Sequence, residues 1–144
     1  MKANKAIATA GFTLVELAVV ILIIGMLAAF AVPRFKASVE RSKAAEAFNY
    51  LASIQAAQER YHAKQSAYAA NIADLDIQMA APKYFTAPET FTAGVSGDLE
   101  DSWTLTLTRS DATAGYGHYS VTFTQTGFDS EDSDISDDIN PMGT

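Results

Sequence analysis

The sequence predicts an α+β fold in which a long N-terminal α-helix packs on a small antiparallel β-sheet. Three observations lead there. An apolar run near the N-terminus continues into residues 34–64, which contain no Gly or Pro and are rich in Ala, Glu, Gln, Lys and Arg, all strong helix formers. Two later segments alternate apolar and polar residues with period two, the mark of half-buried strands. The only long apolar helix stripe available to cover such a sheet lies on residues 34–64.

Taken in order, residues 1–11 hold Lys2 and Lys5 and no acid, and read as a basic leader. Residues 12–33 are apolar except for Thr13 and Glu16, and residues 17–32 carry no charge or strongly polar side chain. From Phe12 to Val32 the helix would extend about 30 Å, enough to cross a bilayer core. A helix in a soluble core usually keeps a polar stripe, which this run lacks. Residues 34–65 are expected to continue the helix as an amphipathic segment, with Ala44, Phe48, Leu51, Ile54 and Tyr61 on one face and a weak point at Pro33. The whole rod would then be roughly 80 Å long.

The remainder, residues 66–144, is expected to form a globular head. Asn71, Asp74 and Asp76 mark a loop, and Pro82 and Pro88 punctuate the chain beyond it. Residues 103–108 (WTLTLT) and 119–124 (YSVTFT) are predicted strands joined through residues 111–117. Trp103, Leu105, Leu107, Tyr119, Val121 and Phe123 face inward, and Ser and Thr face outward. A weaker strand is expected over residues 84–93, with Pro88 making it an edge or a break.

Composition limits the function. A net charge of −7 argues against a general nucleic-acid binder, whose affinity comes from clustered Lys and Arg. The absence of cysteine removes disulfides, thiolate metal sites and cysteine nucleophiles. His62 and His118 have no ligand companion at helical spacing, and no nucleophile elbow, zinc-protease or phosphate-loop motif is present, so catalysis is not expected.

The informative string is Gly11-Phe12-Thr13-Leu14-Val15-Glu16, at the junction of the leader and the apolar run. An ordinary secretory signal would be cut after its apolar region, and Ala29-Phe30-Ala31 offers such a site. Glu16 opposes that reading, because a carboxylate in lipid costs about 2.5–3.5 kcal/mol and a disposable segment gains nothing from it. Gly11 followed by FTLVE, the apolar run and Pro33 resemble the type IV pilin and type II secretion pseudopilin superfamily. The resemblance implies cleavage by a prepilin peptidase between Gly11 and Phe12 and N-methylation of Phe12. It also implies polymerisation through the apolar helix, with Glu16 of one subunit meeting the Phe12 amine of the next. Two buried charges are tolerable when paired, which gives that contact a physical basis.

Gly25 and Pro33 bracket a segment that, in filaments resembling this family, becomes extended; an ordinary membrane helix tolerating both residues is the alternative. The positive-inside rule alone would put the C-terminal side in the cytoplasm, since Arg34, Lys36, Arg41 and Lys43 come after the run and only Lys2 and Lys5 precede it. The peptidase motif overrides this, because it requires Gly11 on the cytoplasmic face.

The implied partners are further copies of the chain, the peptidase, the inner-membrane assembly machinery and the membrane, with no nucleic-acid site. The precursor is expected in the inner membrane and the product in an extracellular filament. A periplasmic pseudopilin piston and a non-polymerising anchored binding domain are the alternatives. Asp129, Glu131, Asp132 and Asp134, with Asp137 and Asp138, could offer hard oxygen ligands to Ca²⁺, but the glycine that an EF-hand loop needs is missing. A solvated acidic surface without a metal or cofactor is expected instead. The charge divides along the chain: +3 over residues 34–64 and −11 over residues 65–144.

Overall fold

The computed structural model describes residues 11–112 and 115–143. The leader expectation, with Lys2 and Lys5, falls outside them apart from Gly11, as do two residues of the connection between the predicted strands. The chain divides into two units, one ending at Phe35 and one beginning at Lys36.

The expected α+β arrangement is observed: one long N-terminal helix and a four-stranded antiparallel sheet. Helix α1 spans Leu14–Gln65 and runs through both Gly25 and Pro33. Its last turn closes with the Ser66 N–H donating to the His62 carbonyl at 2.8 Å, and Ser66 leaves the helix with φ of 59°, a left-handed exit.

In the second unit, the buried helix positions are 40, 44, 47, 51, 54 and 58, with Phe48, Tyr50 and Ala57 beside them. Steps of four and three residues alternate along this row, so one face stays turned toward the sheet. The predicted stripe is therefore present, but two of its positions are polar, Glu40 and Gln58. Gln58 is satisfied by its neighbour in space. Its amide donates to the Ala69 carbonyl at 3.1 Å and accepts from the Ala69 N–H at 2.8 Å, which pins the chain emerging from the helix.

The sheet order is β1 (Thr92–Ala93), β2 (Trp103–Ala112), β3 (Gly117–Thr124), β4 (Gly127–Asp129). The β2–β3 register pairs Leu105 with Phe123 and Leu107 with Val121, and all six predicted inward residues are buried. The strand expected over residues 84–93 shrinks to Thr92–Ala93 with isolated bridges at Thr90 and Thr86. Pro88 has no N–H to give a ladder, so the segment instead inserts Phe85 and Phe91 edge-on against Tyr119 and Trp103, at 5.8 and 5.5 Å between ring centroids. Strand β4 has no counterpart among the predicted elements, because three residues are too few to show a period. A two-residue turn reaches it, with Gly127 at φ of 113°.

The outward Ser/Thr row is also modified. Thr122 is buried, because the chain after β4 returns along β3: its hydroxyl donates to the Asp132 carbonyl at 2.9 Å and its N–H to the Ser133 hydroxyl at 2.9 Å.

Candidate functional site

The helix start is built by Thr13 and Glu16. The Glu16 N–H donates to Thr13 Oγ1 at 3.1 Å, and Glu16 Oε2 accepts from the Thr13 N–H at 3.1 Å and from its hydroxyl at 3.0 Å. The reciprocal pair is a capping box, which satisfies donors that the first helical turn leaves unpaired. It also puts the acidic side chain where the helix dipole favours it. Sequence reasoning gives Glu16 a role and misses Thr13. The signal is present, since a Thr three residues ahead of a Glu, just before an apolar run, is the pattern of such a start. Among the described residues Oε1 of Glu16 has no hydrogen-bond partner, so one carboxylate oxygen remains available.

Gly11 and Phe12 precede the helix, and Phe12 is 83% exposed. None of the most apolar 18-residue stretch of α1 is buried. Leu14, Leu17, Ile21, Ile24, Leu27 and Phe30 are all exposed, so none of the described residues removes this surface from water. A Cβ added at Gly25 would meet no atom within 4 Å, so packing within the chain does not require glycine there. Pro33 has no N–H to offer the Ala29 carbonyl one turn earlier, which weakens the helix locally without ending it.

A second constellation is one that sequence reasoning does not anticipate. Glu40, 1% exposed, receives Arg109 Nε of β2 at 2.8 Å and the Tyr119 hydroxyl of β3 at 3.0 Å on one oxygen, and Lys43 Nζ at 3.2 Å on the other. Arg109 also donates to the Tyr84 carbonyl at 3.2 Å. Helix and both central strands thus meet at one carboxylate, and the loop before β1 joins them through Arg109. Burial by itself pushes the Glu40 carboxyl upward, but hydrogen bonds from Arg109, Lys43 and Tyr119 outweigh it and hold the pKa below its ordinary value. Burial and the adjacent Glu40 charge push the Tyr119 phenol well above its ordinary value.

The histidines take structural places. The His62 ring stacks on Tyr68 at 4.4 Å and its Nε2 lies 3.1 Å from the Glu100 carbonyl, while His118 is exposed at the start of β3. In the acidic segment the carboxylates of Glu131, Asp132, Asp134, Asp137 and Asp138 are exposed. No three His, Asp or Glu residues converge as a metal-ligand group among the described residues. The segment itself is fastened by the buried Ile139 and by the Asp134 N–H on the Ser120 carbonyl at 3.1 Å.

No family model and no solved structure matches the chain. Among curated proteins it is similar to the fimbrial protein EcpC of Eikenella corrodens, with 38% identity over 88 residues, 60% of this chain and 58% of that one. It is also similar to the type IV major pilin protein PilA of Myxococcus xanthus, with 43% identity over 58 residues, 40% of this chain and 26% of that one. The matches thus span less than two thirds of either relative's length. These likenesses, joined to a long N-terminal helix packed on a four-stranded antiparallel sheet, support assigning the chain to the type IV pilin superfamily.

Proposed function

We propose that the chain is the structural subunit of a type IV pilus filament. On this reading it is cut by a prepilin peptidase after Gly11, methylated on the Phe12 amine, and assembled through its apolar helix. The observation that carries the reading is the helix start: an exposed Phe12 and a half-engaged Glu16 at the head of a span whose apolar surface has no partner among the described residues. Lipid covers such a span before assembly, and neighbouring spans cover it in a filament core. With Oε2 held by Thr13, Glu16 Oε1 is free to receive the Phe12 ammonium of the adjacent subunit, and each buried charge makes the other tolerable. Gly25 and Pro33 are the points where the helix would open in the filament.

Both relatives are named as fimbrial or pilin proteins, which favours a surface filament over a type II secretion piston. The role is structural, and no cofactor is invoked.

The test uses fibres sheared from cells expressing the full chain. N-terminal sequencing should begin at methylated Phe12. Glu16→Ala should leave cleavage intact and abolish fibres. Fibres of normal abundance from that variant would refute the pairing, and fibres beginning at Val32 would refute the processing site.

A further inference from the structure

The head carries two charged surfaces of opposite sign on opposite edges of its sheet. At one, Lys43, Lys83 and Arg109 surround the ring of Tyr84, with Lys43 Nζ 5.1 Å, Lys83 Nζ 5.7 Å and Arg109 Cζ 5.5 Å from its centroid. They line a cavity of 420 Å³. Glu40 lies beneath it, paired with Lys43 and Arg109, and Glu46 borders it by accepting the Lys83 N–H at 3.1 Å, so three cations stand against two carboxylates. Among the described residues the Lys83 ammonium has no carboxylate within 4.0 Å. The arginine, only 5% exposed, is held by Glu40 and the Tyr84 carbonyl, so the exposed Lys83 and the part-exposed Lys43 present the positive charge of the cup.

The other surface is the acidic segment after β4. Among the described residues none of Glu131, Asp132, Asp134, Asp137 and Asp138 pairs with a cation. Its shape is fixed: Asp129 Oδ1 accepts the Glu131 and Asp132 N–H groups, while Thr122 and Ser120 anchor Ser133 and Asp134. The cup adjoins the Thr86–Thr108 bridge, on the side of β2 away from β3. The acidic segment bonds to β3 on the side away from β2. Two unlike, complementary patches facing apart cannot pair isologously without like charges meeting. A contact between them is head-to-tail by geometry, the kind that propagates as an open filament when the rotation does not close.

We propose that the basic cup around Tyr84 receives the carboxylates of residues 129–138 of a second copy of this chain, as a lateral contact between heads. The inference rests on the filament reading above. The cysteine-free chain gives a clean background for the test. Lys83→Cys with Asp132→Cys should yield a ladder of covalent oligomers in sheared fibres treated with a short bis-maleimide, and neither single variant should. Lys83→Glu should reduce fibre recovery roughly tenfold or more, and adding Asp132→Lys with Asp134→Lys should restore it. If the cysteine pair itself prevents fibres, the charge swap decides: restoration supports the contact and its failure overturns it. Abundant fibres that neither cross-link nor respond to Lys83→Glu overturn the head contact and leave the filament reading standing. A wild-type chain that forms no fibres overturns both.

Discussion

Residues 14–35 and 36–65 belong to one helix, yet they are stabilised in opposite ways. In the first stretch apolar side chains cover every side and none is buried, so no described residue of the chain supplies its environment. In the second, apolar residues keep to one row that the protein's own sheet covers, and the polar groups on that row are bound by side chains of the sheet and by the loop after the helix. The first stretch is suited to a solvent or a set of neighbours, the second to a fixed tertiary partner. Stability of the head should therefore depend on residues from 36 onward and be indifferent to changes before them.

The largest effect expected from a single change that touches the packing of the second stretch is at the Glu40 cluster. Arg109→Leu leaves a buried carboxylate with only Lys43 and Tyr119, and should lower head stability by about 3–5 kcal/mol, read as a shift in denaturant midpoint. Replacing both ends, Glu40→Met with Arg109→Leu, should recover most of that loss, since the desolvation of both ions goes with their attraction. If the double variant is as unstable as the single one, the cluster does not act as a pair.

A smaller effect should appear with pH. Glu40 has a folded pKa below the 4.5 of an ordinary carboxyl, so its contribution is present above about that pH and fades as pH falls through the folded value. Tyr119 has a folded pKa above 10.0, so its contribution is present below that pH and fades as pH rises through the folded value. Thermal melts of the head should show both arms. Glu40→Gln should flatten the acid arm and Tyr119→Phe the alkaline one, with neither change altering the other side to the same degree.

The two stretches also differ in how much of them can be read from sequence. The apolar run and the Gly11–Glu16 string before it stand out in composition, and the strands β2 and β3 announce themselves through Thr alternating with Leu and Val. Glu40 and Gln58 escape notice because a search for apolar periodicity passes over polar residues on the same row. Their spacing from Ala44 and Ile54 is the clue, but their partners Arg109, Tyr119 and Ala69 are set by tertiary structure alone. The fastening of the acidic segment is illegible for a similar reason. Ile135 and Ile139 are isolated apolar residues among acids, and nothing local says that Ile139 reaches the core. The cup around Tyr84 joins residues 43, 83 and 109, which no linear motif could gather.

The smallest effect belongs to the start of the helix. Thr13→Ala removes the hydroxyl that accepts the Glu16 N–H and one of the two donors to Glu16 Oε2, a loss of about 1 kcal/mol in local helix stability. Because no residue of the first stretch belongs to the head's core, that loss should leave the melting temperature of the head unchanged. It should instead speed amide exchange over residues 14–17 of the full chain in detergent micelles, while Thr13→Ser, which keeps the oxygen, should not. A drop in the head's melting temperature would mean that the first stretch supports the second. An unchanged exchange rate would mean that Glu16 and the first turn are held by something other than Thr13.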